Sequence, residues 1–362
     1  MNAIDALASW WPWRGARGHG DPAQRGVWWL AGMLVVTLLA GVVLGAYPVS
    51  PDVVRASLDA LVQGETLDVS GQVLWNVRLP RVLLGALCGA ALALGGCVLQ
   101  GLFRNPLADP ALIGLSSGAA LAAALAIVFG QWLPLEWMSM LKLFLMPMAA
   151  MAGAALAVLW AMRIASHQGT TSVIMLLLAG IAANALCQAG IGALQFVASD
   201  EQLRNITFWT LGSLGQARWA VVGVVGLAVL AGVLMLRPLH GALDALNLGE
   251  AAARHLGVDV QGTKRRLVAA VTLMVGACIA FTGVIVFVGL VAPHLVRMAL
   301  GPSHRHAMPA SALLGAILLV AADVVARTVA APAEVPIGIL TAFIGTPFFV
   351  WLIRRRRMGM LP

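Results

Sequence analysis

A chain of 362 residues in which 60% are hydrophobic and only 10% charged, with a mean hydropathy of +0.91, is excluded from the soluble class, where about a quarter of residues are charged. Its net charge of +8 does not point to nucleic acid, because the basic residues stand in short clusters between apolar runs and not along one face. The four cysteines, Cys88, Cys97, Cys187 and Cys278, lie singly inside apolar segments, without the spacing of a metal site or disulfide framework, and read as small buried residues.

The first 26 residues carry Arg14, Arg17 and Arg25 among Trp10, Trp11 and Trp13, then enter an apolar run with no small-residue cleavage site. They read as a retained cytoplasmic segment whose tryptophans suit the headgroup level. From there, stretches long enough for a membrane-crossing helix recur at 27–46, 71–103, 111–131, 141–163, 171–196, 217–236, 264–282, 284–300, 307–329 and 335–353. The fold expected is an all-α polytopic membrane protein of about ten crossings, ending in a basic cytoplasmic tail, 354–362. Most Lys and Arg then fall in cytoplasmic connections, which supports the orientation.

Along the chain, Arg78-Leu79-Pro80-Arg81 stands at the outer end of the second span, where two arginines beside a proline read as snorkelling anchors as readily as a functional pair. In the segment Leu102 to Pro110, Pro106 and Pro110 forbid a continuous helix and predict a tight cytoplasmic turn whose polar residues satisfy the freed backbone. Met138, Met140, Met146 and Met148 gather near an outer loop and read as gap-fillers in preference to ligand contacts. Asn184, Gln188 and Gln195 share one face of the fifth span; they either line a pathway or bond to neighbouring helices, with packing the better reading.

The connection Arg237 to Arg266 is too long and polar for a turn. Within it Asn247 is expected to cap the amide of Glu250 while Glu250 reaches back, and Gly257 to stop the helix after Leu256. This short helix, poorly suited to lie on lipid, suits docking into a protein groove. The stretch Gly257 to Lys264 resembles a phosphate loop only superficially, since Lys264 and Thr263 stand in the wrong order and no strand precedes, so any ATP would be hydrolysed by another subunit.

The nearly continuous apolar run from Leu267 to Leu300 must cross an even number of times, because basic clusters flank it on both sides. A full and a short span with a break near Gly283 or Gly289, or a re-entrant excursion, both satisfy this. Asp323 and Arg327, one turn apart near the outer end of the ninth span, are placed to pair. A weak inverted repeat sets Gly89, Ala90, Ala93, Gly96 and Pro106 against Gly276, Ala277, Ala280, Gly283 and Pro293. No nucleophile with a partnered base and no histidine or carboxylate cluster marks an enzyme.

Taken in order, Arg78 to Arg81, Gly101 to Pro110, Gly249 to Gly257, Phe287 to His294 and Glu334 to Gly338 resemble the FecCD family of ABC-importer permeases over almost the whole chain from Val27. The resemblance implies a type II importer architecture: a transmembrane domain at 27–353 working as a homodimer by alternating access at the interface, with cytoplasmic coupling helices within 238–263. Two ATPase subunits, which use ATP and Mg, are expected to dock on Asn247, Leu248, Gly249, Glu250, Ala251, Ala252, Ala253, Arg254, His255, Leu256 and Gly257. A periplasmic binding protein is expected to meet Arg78, Arg81 and Arg327, and Asn184 and Gln188 gain weight as pathway residues. The chain itself is expected to bind no cofactor or metal and to have no catalytic site. Gly101 to Ser117 and the region of Asn247 look most like heme permeases, with a siderophore or cobalamin as alternatives. An ion-coupled secondary transporter is the rival from another class, but Asp and Glu are almost confined to connections.

Overall fold

The computed structural model describes residues 22–45, 50–132, 139–331 and 333–357. The expectations placed on Trp10, Trp11, Trp13, Arg14, Arg17 and Met138, and on residues 358–362 of the tail, lie outside these.

In chain order the helices are α1 (Pro22–Val43), α2 (Pro51–Gln63), α3 (Val69–Leu102), α4 (Leu115–Phe129), α5 (Ser139–Ala165) and α6 (Val173–Val197). They continue as α7 (Asp200–Leu211), α8 (Trp219–Leu236), α9 (His240–Asn247), α10 (Glu250–His255), α11 (Val260–Thr282), α12 (Val288–Leu300), α13 (His304–Ala326) and α14 (Ile337–Arg357). Between α5 and α6, Ser166–His167 (β1) and Thr170–Thr171 (β2) form a small antiparallel hairpin. Among the described residues seven helices are long and apolar enough to cross a membrane, and the shorter apolar helices α4, α12 and α14 stand at the other expected positions. Helices α2 and α7 were not expected. For α7 the signal is in the sequence, a capping box in which Ser199 accepts from the amide of Gln202 while the Gln202 side chain accepts from that of Ser199.

Lipid offers no hydrophobic drive for helices to associate, so close approach through small residues must hold the bundle together. The spine is α3, buried along most of its length. A Cβ on Gly89 would strike the carbonyl of Gly315 in α13, and one on Gly96 would strike that of Gly289 in α12. Gly118 of α4 and Gly153 of α5 meet in the same reciprocal way. At the start of α3, the π-turn Leu74–Arg78 absorbs the disturbance from Pro80, which lacks the amide a regular helix needs there.

The run from Leu267 to Leu300 resolves into α11 and α12, broken at Gly283 and not at Gly289, which lies inside α12. Gly283 (φ 70°) and Phe287 (φ 67°) both take the left-handed region that turns the chain. With 13 residues α12 is only about 20 Å long, short of the roughly 30 Å hydrocarbon core. The break is therefore covered by protein: the Ser213 amide donates to Thr282 O at 2.7 Å, the Ile337 amide donates to Gly212 O at 3.1 Å, and Gly283 packs on the carbonyl of Trp209. Of the paired repeat positions, Gly89 and Gly276 both sit within long helices, whereas Gly96 lies inside α3 and Gly283 ends α11.

Pro293 inside α12 has no amide to give, which leaves the carbonyl of Gly289 without its helical donor. Gln100 of α3 supplies one, its Nε2 lying 3.3 Å from Leu290 O and 3.5 Å from Gly289 O. Its Oε1 accepts from Arg297 Nη1 at 2.7 Å, and Arg297 also donates to Cys97 O at 2.8 Å. Gln100→Leu is expected to cost about 1–3 kcal/mol, read as a lower unfolding midpoint in detergent. An unchanged midpoint would mean that these groups find other partners.

The turn after α3 holds its shape as expected. Asn105 Oδ1 accepts from the Leu107 amide at 3.0 Å and Asp109 Oδ1 from the Ala111 amide at 2.9 Å. Burial pushes the Asp109 carboxyl above the usual carboxylate range.

Candidate functional site: polar clusters at opposite ends of the bundle

At one end, α9 and α10 form a two-helix connection between α8 and α11. The expected cap is not made: Asn247 ends α9, and α10 starts at Glu250 after Gly249 (φ 114°), with no side-chain cap. Glycine can take a backbone angle that a capping asparagine in the β region does not, so α9 runs through Asn247, where a helix start was expected. The stop at Gly257 is as expected, with φ 82° and the Val258 amide donating to Ala253 O at 3.0 Å. Asp259 then caps α11 by accepting from the Gly262 amide at 2.9 Å.

Glu250 is turned inward. Its Oε1 lies 2.7 Å from Nζ of Lys264, which is 2% exposed and also donates to Thr171 O at 2.6 Å. Gln261 Oε1 accepts from the Thr171 amide at 2.9 Å. Thus α10, the first turns of α11 and the β1–β2 hairpin are bound into one unit. Lys264 is occupied by a carboxylate and a carbonyl. A second tie joins α9 to α13: Asp244 Oδ1 lies 2.7 Å from Nδ1 of the buried His304 and accepts from its amide at 2.9 Å. On the outer surface of this unit Leu248 and Leu256 are exposed, as are Ala251, Arg254 and His255, while Ala253 is fully buried.

At the other end the three arginines converge, and all are buried. Arg81 Nε and Nη2 both reach Asp323 Oδ1 at 2.9 Å, and its Nη1 reaches Glu334 at 2.7 Å. Arg327 Nε stands 3.4 Å from Asp323 Oδ2, so the expected pair forms, but Asp323 belongs first to Arg81. Arg327 also donates to Gly41 O, and Arg78 donates to Val42 O and Val43 O at 2.8 and 2.9 Å. The arginines are therefore committed to internal partners: α1, α3, α13 and the α13–α14 connection are fastened together here. Sequence reasoning missed Glu334 and the Arg81–Asp323 pair; the usable signal was that a charge within a span needs a partner.

A profile of the FecCD transport family matches residues 33–355. The chain belongs to the FecCD family. It is 43% identical over 325 residues to the hemin transport system permease protein HmuU of Yersinia pestis, covering 90% of this chain and 96% of that one. It is also 43% identical, over 289 residues, to the cobalamin import system permease protein BtuC of Halobacterium salinarum, covering 80% and 75%. Among solved structures, an inward-facing metal-chelate-type ABC transporter superposes with a TM-score of 0.79 at 33% identity, covering 91% of this chain and 98% of that one. The protein is a multi-pass ABC-importer permease.

In this FecCD permease the polar face of α6 divides. Asn184 is taken up by packing, donating to Ala111 O at 3.1 Å and accepting from the Ser117 hydroxyl. Gln188 and Gln195 are exposed on the same helix. Met146 is half-buried and Met148 exposed. The four cysteines are free and buried, and no group of three or more His, Cys, Asp or Glu gathers among the described residues.

Proposed function

We propose that this permease moves heme from periplasm to cytoplasm as a homodimer, by alternating access at the interface, powered by two ATPase subunits that use ATP and Mg. The observation that carries heme is the likeness to HmuU along nearly the full length of both chains. Cobalamin is the second reading, favoured by the equal identity of the archaeal BtuC over a shorter stretch; a siderophore is the third. Membership of an ABC-importer family displaces the ion-coupled rival.

The residues from Asn247 to Gly257 serve as the coupling surface, with Leu248 and Leu256 as apolar anchors and the Glu250–Lys264 bond carrying motion into α11 and the hairpin. The opposite end faces the periplasm and a binding protein. Since Arg78, Arg81 and Arg327 are internally bonded, docking on acidic residues requires those bonds to exchange. Gln188 and Gln195, exposed where lipid would disfavour an amide, support a wet path beside α6; Asn184 positions the start of that wall.

The test is uptake into vesicles holding the permease, its ATPase and its binding protein, offered heme, cobalamin and a ferric siderophore in turn. ATP-dependent heme uptake is the expected result. Preference for another cargo overturns heme, and uptake without the ATPase overturns the motor assignment.

A further inference from the structure

At the end of the bundle that carries α9 and α10, a cavity of about 430 Å³ lies between α1 and α13, lined by Gln24, Val27, Trp28, Arg305, His306 and Pro309. The two helices start together there and run side by side. Gly26 of α1 packs on Leu300 just before α13, Gly41 on Val320, and Gly45 lies beside Arg327. Both starts therefore sit at one membrane boundary, the level at which lipid headgroups and tryptophans reside.

The lining divides by chemistry. Arg305 and His306 are on the first turn of α13, where the backbone amides add positive potential. Ser303 does not cap that turn; its hydroxyl bonds Asp244 at 3.3 Å, on the side where Asp244 also holds His304. Gln24 adds an amide. Val27, Trp28 and Pro309 are apolar, and Trp28 is 70% exposed. Following the same face of α1 into the membrane, Gly32 has nothing within 4 Å of a would-be Cβ, and Val35, Val36 and Leu39 are exposed. A mouth carrying the Arg305 guanidinium thus opens onto an unobstructed apolar track one turn deeper.

We infer that this cavity binds one anionic phospholipid, its phosphate held by Arg305, His306 and Gln24 and an acyl chain lying along α1 past Trp28 and Gly32. A soluble anion would leave the apolar track unused, and a zwitterionic lipid would offer the Arg305 guanidinium no net negative charge. Basic pockets between membrane helices at headgroup depth take acidic lipids for this reason. The bound headgroup would steady the first turn of α13, whose neighbour His304 is tied to α9.

The test uses the full chain reconstituted in equal phosphatidylglycerol and phosphatidylcholine, extracted, and its retained lipid counted by native mass spectrometry. Wild type should retain phosphatidylglycerol over phosphatidylcholine. Arg305→Gln with His306→Gln should retain about tenfold less, and Arg305→Lys should behave like wild type. Equal retention by the double variant, equal retention of phosphatidylcholine by wild type, or displacement by millimolar inorganic phosphate would each overturn the assignment, the last in favour of a soluble anion. Should the double variant not fold, brominated phosphatidylglycerol and phosphatidylcholine are compared as fluorescence quenchers of wild type and Trp28→Phe. Extra quenching by the anionic lipid that disappears in Trp28→Phe supports the site, and identical behaviour of the two proteins overturns it.

Discussion

Arg81→Ala is expected to destabilise the permease by about 3–5 kcal/mol, because it leaves buried charge without its partner. Asp323 is 2% exposed and would retain only Arg327 at 3.4 Å, while Glu334, nearly half exposed, can turn to solvent. Asp323 is thus left with one guanidinium at longer range in place of two. A lower unfolding midpoint in detergent and poorer recovery of folded protein are the readouts. Arg81→Met combined with Asp323→Asn should recover only part of the loss: no buried carboxylate is left short of a partner, but the buried Arg327 then keeps an amide oxygen and the Gly41 carbonyl in place of its counter-charge. If the double variant is as unstable as the single one, packing and not charge dominates this end.

Lys264→Met is expected to reduce ATP-driven uptake about tenfold or more while ATPase subunits still bind. The methionine fills the space of the lysine stem but gives up two charge-assisted bonds, at 2.7 Å to Glu250 and 2.6 Å to Thr171 O. Each is worth about 1.5–3 kcal/mol, and losing even one unit of coupling energy near 1.4 kcal/mol changes the transmitted equilibrium tenfold. The exposed Leu248, Leu256 and Arg254 are untouched, so docking should persist. Measuring ATPase co-purification beside uptake separates the two. Lost docking would show that Lys264 shapes the surface itself, and normal uptake would show that motion enters by the Asp244–His304 tie.

What could be read in the sequence follows from what lipid demands locally. Apolar length placed the membrane helices to within a few residues, and Gly257 placed the end of α10, because both depend on near neighbours in the chain. The Asn247 cap failed because the choice between ending α9 and starting α10 was decided by Gly249, which alone accepts its φ of 114°. The start of α11 was missed by one turn because Val260 to Thr263 are held by the Asp259 cap and by Thr171, a partner far along the chain. At the arginine end the sequence offered Asp323 to Arg327 on grounds of spacing; the stronger claim of Arg81 on the same carboxylate arises only when α3 and α13 pack through Gly89 and Gly315. The partner of Lys264 was hidden likewise, by the short return from α10 to α11.

The bond between Arg81 and Asp323 joins residues 242 positions apart. At 5–20 residues per second of synthesis, roughly 10–50 s separate their emergence from the ribosome. Throughout that interval α3 is in or at the membrane with Arg78 and Arg81 near its outer end, and with the carboxylates that will neutralise Arg81 not yet made. On the proposed orientation these are cations sent outward, against the usual bias of insertion. A truncation ending before α13, which leaves Arg81 without Asp323 and Glu334, is therefore expected to be held poorly by the bilayer and to be an early substrate for membrane quality control.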